Sequence, residues 1–163
     1  MKPSPSVSAF LSLSAFAFAA VISLASIGCT PSGKVEVPGS YAKLPSAEGY
    51  SFRAANAKGV VVAVRAQDNE LKGNIDFWAE AIDQHMRDDG YEGDPTIRDV
   101  QSRSGVAGKQ IRYNRNQEGR EYRYWLTIFL ADSRVFVIEA GGDKEIFDPA
   151  IPEVESAVLS FRL

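Results

Sequence analysis

The chain contains one cysteine and one histidine in 163 residues, Cys29 and His85. A single cysteine forms no intrachain disulfide and no thiolate metal cluster. A single histidine excludes multi-histidine metal sites and leaves a Ser/His/Asp triad without ready-made parts. Basic charge is not in excess either. With Lys2 set aside as the sole charged residue ahead of Cys29, 17 Lys and Arg stand against 21 Asp and Glu, a net charge of −4. A nucleic-acid binder usually shows a basic face, so that class is set aside, and no cofactor or metal is expected. The stretch Val62-Ala63-Val64-Arg65 carries Arg65 where the protein-kinase V-A-I-K strand has its lysine, and no Gly-rich loop, H-R-D or D-F-G accompanies it.

What is present begins with Lys2, a Ser-rich lead, an apolar run over 9–27, and Gly28-Cys29. Residues 1–28 read as an export signal that lies outside the fold. An ordinary signal peptide with an incidental cysteine and an uncleaved membrane helix are the competing readings. Ile27-Gly28-Cys29 resembles the lipobox of bacterial lipoproteins, although Ser26 stands where that family usually has Leu. The resemblance implies a lipoprotein signal peptide over 1–28 and an acylated, palmitate-bearing Cys29 at the head of a tether over 29–49. Each buried methylene of such chains contributes about 0.8 kcal/mol of membrane binding. Thr30 instead of Asp after the cysteine leans towards the outer membrane, facing the periplasm, under the same family's sorting rule.

Residues 30–49 hold Pro31, Pro38, Pro45, Gly33, Gly39 and Gly49 and no periodic apolar face, which reads as a linker. A single globular domain is expected over 50–163. Strands are expected over 50–54 and 59–65. Over 74–89, Ile75, Trp78, Ala79, Ile82 and Met86 form one apolar stripe of a helix, with Asn74 as its cap, Gly90 as its stop and Trp78 as its anchor. Asp76, Glu80 and Asp83 on the other side read as a solvated face, because no oxygen-rich loop of the D-x-D-x-D-G kind supports them as a cation site. His85, at the stripe's edge, reads as partly buried and hydrogen-bonded. After a turn-rich loop over 90–95, strands are expected over 96–103 and 109–115, and Pro152 is placed to open a terminal helix with Val154, Ala157, Val158 and Phe161 as its stripe.

The centre of the fold is a hairpin of strands 122–131 and 134–140 joined at Asp132-Ser133. A two-residue loop sets Leu130 against Val135, Ile128 against Val137 and Leu126 against Glu139 on one face. The other face pairs Phe129 with Phe136, Thr127 with Ile138 and Trp125 with Ala140. Large apolar side chains occupy both faces, so the hairpin must be covered on both sides, most economically by helices. The expected fold class is α+β, an antiparallel sheet of about six strands between helices.

Two strands, a helix, four antiparallel strands and a terminal helix, with the stretches 59–64, Phe77-Trp78, 105–108 and Ala140-Gly141-Gly142, resemble the Mog1/PsbP-like α/β/α sandwich. The resemblance spans about 50–163 and implies the fold and a style of function, binding or assembly without catalysis. It brings no catalytic residues to carry over. The expected protein is therefore a membrane-tethered, non-catalytic lipoprotein of a bacterial cell envelope with a protein partner there and none in nucleic acid. A small metal-independent hydrolase using Asp, Glu and Tyr, or a carrier of an apolar ligand between sheet and helix, are the alternatives. Glu139 is the one charge within 135–140. Either the sheet runs out into solvent there, or Glu139 and its diagonal neighbour Tyr124 border a pocket beside Gly141 and Gly142, where two glycines admit a ligand to the backbone. In the second case Tyr124 or Arg112 would partner the carboxylate.

Overall fold

The computed structural model describes residues 33–91, 96–131 and 133–163. Cys29, the export segment, most of the 90–95 loop and Asp132 of the hairpin turn lie outside the described residues. Among those described, seven strands and two helices follow one another as β1 (Tyr41–Lys43), β2 (Phe52–Asn56), β3 (Val61–Asp68), α1 (Ile75–Asp88), β4 (Thr96–Gln101), β5 (Ala107–Gln117), β6 (Arg120–Ala131), β7 (Arg134–Asp143) and α2 (Lys144–Leu159). They build one antiparallel sheet in the order β1-β2-β3-β7-β6-β5-β4. The sheet has one strand more than expected.

The hairpin β6–β7 lies inside the sheet, flanked by β5 and β3, with Leu130 opposite Val135, Ile128 opposite Val137 and Trp125 opposite Ala140. That is the register the alternation demands, because a slip of one residue would exchange the two apolar faces. On one face Val62, Val64, Trp125, Phe129, Phe136 and Ile138 meet Phe147, Val154, Ala157 and Val158 of α2 and the following Phe161. Phe129 and Phe161 stack with centroids 4.5 Å apart. On the other face Ile111, Tyr113, Leu126, Ile128 and Val135 receive the apolar stripe of α1. The result is a three-layer α/β/α sandwich.

α1 starts where its cap chemistry says it must. Asn74 accepts from the Phe77 amide, and Gly90, at φ +83°, follows the C-cap Asp89. Within its stripe only Ala79 and Met86 are buried, while Trp78 is half-covered and ties the helix start to the preceding loop through Nε1 donating to Asn69 Oδ1 at 3.0 Å. The helix anchor is thus shared along the stripe. His85 departs from expectation: its side chain is 74% exposed, with Nε2 3.6 Å from Asp89 Oδ2, because it lies one step beyond the stripe's solvent edge.

Two further expectations are corrected. The described part of the supposed linker is packed into the domain. Lys34 bridges to Arg162 by a reciprocal pair of backbone hydrogen bonds, Val35 and Val37 touch the α2-side core, and buried Tyr41 opens strand β1. A Cβ on Gly33 would lie 2.6 Å from both Phe136 and Phe161, so the backbone is pressed onto those rings. The terminal helix begins at Lys144, not Pro152. Asp143 caps it by accepting from the Glu145 amide, and both Pro149 and Pro152 lie inside it. Each proline deletes one helical hydrogen bond, a loss set against the burial of Phe147, Ala150, Val154, Ala157 and Val158 on the same helix. β7 runs to Asp143, past the expected end at residue 140, so Gly141 and Gly142 belong to the strand.

A polar network locks α2 to the sheet. Buried Gln110 donates to Thr127 Oγ1 at 3.0 Å and accepts from Arg98 and Arg112, whose Nη2 atoms both reach Glu155 Oε1, at 2.9 and 2.8 Å. Arg112 also lies 3.5 Å over the Trp125 ring. This network answers what a polar residue does on the inner face of β5: Gln110 is satisfied on both ends of its amide.

Candidate functional site

α1 packs chiefly on β5 and β6 and reaches Val135 at the start of β7, while the Glu139–Gly141 part of β7 and the strands β3 and β2 beside it form the cavity on this face. Register decides what that part of the face shows. One row across the strands reads Ile111, Leu126, Glu139, Ala63, Arg53, and the next reads Tyr113, Tyr124, Gly141, Val61, Ala55. Small residues at Ala63, Val61 and Gly141 therefore form a low floor between taller side chains. The outcome is a cavity of about 390 Å³, with Tyr122, Tyr124, Tyr91 and Arg115 on one side, Tyr50 and Arg53 on the other, and Glu139 in its floor.

Glu139 does not run out into solvent. Its side chain is 12% exposed. Tyr124 donates to Oε2 at 2.9 Å and Tyr50 donates to the same oxygen at 3.3 Å, while Arg65 Nε donates to Oε1 and its Nη2 to the Tyr50 hydroxyl. A carboxylate taken from water needs donors or a counter-charge, and here three residues from three segments supply both. The expected partner Tyr124 is in place. Arg112 is not, because on β5 it points to the opposite face and joins Glu155. Tyr50 and Arg65 were not expected, since their approach depends on the pairing of β3 with β7, a contact between residues more than 70 positions apart. Burial pushes the Tyr124 phenol well above the ordinary tyrosine range, and the negative Glu139 beside it adds to the shift.

Tyr91, just beyond α1, packs 5.5 Å from both Tyr113 and Tyr124, and Arg115 lies 4.8 Å over its ring. On the far rim Arg53 lies 5.3 Å and Arg65 4.1 Å from the Tyr50 ring. Gly141 gives the Tyr124 ring its room: a Cβ there would stand 3.1 Å from Tyr124 Cδ2 and 3.3 Å from the Arg123 carbonyl, closer than ordinary van der Waals contact. Tyr124, Tyr50 and Arg65 together occupy three of the roughly four acceptor sites of the carboxylate, and the adjacent Tyr124 phenol holds its proton. No cluster of three metal-ligating side chains occurs among the described residues, and none of their helices is long and apolar enough to cross a membrane.

The same layered architecture occurs in solved structures. LpqN of Mycobacterium tuberculosis, described as involved in cell envelope biogenesis, superposes with a TM-score of 0.60 over 80% of each chain at 11% identity. The cyanobacterial PsbP protein CyanoP of Synechocystis sp. PCC 6803 superposes with 0.52 over 86% of this chain and 98% of its own at 10% identity. The fold is the Mog1/PsbP-like sandwich. A protein from Bacteroides thetaiotaomicron matches at 0.53 over 80% of this chain with 15% identity, and this chain spans only 44% of it. No family model and no curated protein sequence matches the chain. Identities this low carry the architecture and leave function to the site itself.

Proposed function

We propose that this is an exported, lipid-anchored protein of a bacterial cell envelope, held at the membrane by acylated Cys29, and that its task is non-catalytic binding or assembly through the cavity floored by Glu139 and walled by Tyr124. The observation that carries the reading is the carboxylate itself. A half-buried Glu139 gripped by Tyr124, Tyr50 and Arg65 fixes the shape and charge of a concave surface, and preorganised polar groups within a tyrosine-rich hollow are what recognition sites consist of. The apolar-carrier reading draws less support, because the space between sheet and α2 is filled by Phe129, Phe136, Phe147 and Phe161. The envelope assignment draws on the export-type N-terminus and on the shared architecture with LpqN. Thr30 favours the outer membrane.

The packing of Gly33 on Phe136 and Phe161 shortens the tether. Only residues 30–32 separate Cys29 from it, a reach of at most about 14 Å. Phe136 and Gly141 are five residues apart along β7, about 17 Å at the rise of a strand, and the cavity opens on the sheet face opposite Phe136. On this reading the cavity faces away from the bilayer that holds the anchor.

The test is capture of partner from envelope extracts by the wild-type protein, Tyr124→Phe and Glu139→Gln, with folding verified by thermal melting. Weaker capture by the folded variants supports the reading. Equal capture by all three removes this cavity as the recognition site.

A further inference from the structure

The charges around the cavity do not balance. Arg65 is matched by Glu139, and Arg123 is matched by Asp148, which it meets with two nitrogens at 2.8 and 3.0 Å. Arg53 and Arg115, which also line the cavity, have no carboxylate partner among the described residues. Among the described residues the cavity thus carries two positive charges without a carboxylate partner, on a protein whose formal net charge is −3. Both guanidiniums lie over aromatic rings, Arg53 on Tyr50 and Arg115 on Tyr91. Stacking of this kind holds the plane of the guanidinium while leaving its edge N–H donors available for oxygen acceptors. Beneath them the floor is Val61, Ala63 and Gly141 with the carboxylate of Glu139 among them, and the walls are tyrosine rings.

We propose, building on the cavity's role in recognition, that it takes a small organic anion: a flat apolar body that packs among Tyr50, Tyr122 and Tyr124, carrying a carboxylate or similar oxyanion that Arg53 or Arg115 receives. A volume of about 390 Å³ suits a ligand of one or two fused rings. Glu139 sets the polarity of recognition. It repels an anion placed over the floor's centre and so directs the acidic group to the rims, where Arg53 and Arg115 stand on β2 and β5, four strand spacings apart. A cationic ligand would meet the reverse pattern.

Naphthalene-2-carboxylate and its neutral isostere naphthalene-2-carboxamide test this on the full chain, with amide chemical shifts of Gly141 and Gly142 as the location readout. The carboxylate is expected to bind at those glycines at least fivefold more tightly than the carboxamide, to weaken with added salt, and to lose that advantage in Arg53→Gln/Arg115→Gln. Equal binding of the two probes at the glycines overturns the anion preference while leaving the cavity as a recognition site. An undiminished preference in the folded double variant, or shifts confined to another surface, overturns the assignment of Arg53 and Arg115. Capture by Tyr124→Phe and Glu139→Gln is read separately, so failure of the anion inference and failure of the cavity's role remain distinguishable.

Discussion

The Tyr124 hydroxyl reaches Glu139 diagonally, not across the ladder: Tyr124 faces Gly141, Glu139 faces Leu126, and the 2.9 Å bond spans the offset. It does so because Gly141 has no side chain, which lets the Tyr124 ring lie over the strand. Removing the hydroxyl in Tyr124→Phe should cost about 1 kcal/mol, the usual net value of a hydrogen bond, since Tyr50 and Arg65 still hold the carboxylate. Urea denaturation measures it, and a loss above about 3 kcal/mol would show that Glu139 depends on Tyr124 alone.

Alkaline pH should destabilise the domain. The Tyr124 and Tyr113 phenols are both pushed up, chiefly by burial and then by Glu139 and Asp83 respectively. Above pH 10 the unfolded chain releases protons that the folded one keeps, so stability is complete below about pH 10 and falls as pH rises further. In a tyrosinate absorbance titration part of the signal should therefore appear only with unfolding, and Tyr124→Phe should make the alkaline fall in melting temperature shallower.

Phe129→Ala should be more damaging than Trp78→Ala. The Phe129 ring is fully buried and stacked on Phe161, so a loss of about 3–5 kcal/mol is expected. Trp78→Ala should cost less, as its ring is only half-covered and edges onto exposed Phe77. The reverse ranking in parallel denaturation curves would mean that the α1 layer, not the α2 layer, dominates stability.

Gly108→Ala should destabilise by about 1–3 kcal/mol through overpacking. A Cβ there would stand 2.5 Å from the Ile128 carbonyl oxygen and 2.6 Å from the Phe129 ring. Gly39→Ala, which meets nothing within 4 Å, is the control and should melt within a degree or two of wild type.

Cys29→Ala should abolish palmitate labelling and shift the protein from the membrane fraction to the soluble envelope fraction. Labelling that persists in the variant would defeat the anchor.

The centre of the sheet was legible because β6 and β7 satisfy two constraints at once, a two-residue connection and apolar residues on both faces, and only one register meets both. α1 was legible from Asn74, Gly90 and the stripe between them. The edges were not. β1 is three residues long with one buried side chain, Tyr41, so no period exists to read, and the surrounding prolines and glycines suggest a linker. α2 was read late because Pro152 looks like a first-turn residue, whereas the operative signal was Asp143 ahead of Glu145. Of the site, hairpin register made Tyr124 the diagonal neighbour of Glu139 but left open whether Glu139 met it or ran out into solvent. Tyr50, Arg53 and Arg65 approach through β2 and β3, whose neighbours are set by the whole sheet order and by no local pattern.

The bridge between Lys34 and Arg162 joins the two ends of the domain at one corner, by backbone hydrogen bonds of 2.8 and 3.1 Å and an ion pair of Arg162 with Glu36. Gly33, packed on Phe136 and Phe161, lies directly ahead of that clasp. The segment ahead of β1 is thereby fastened to the α2 side of the sheet, with Val35 and Val37 against that core and the cavity on the opposite face.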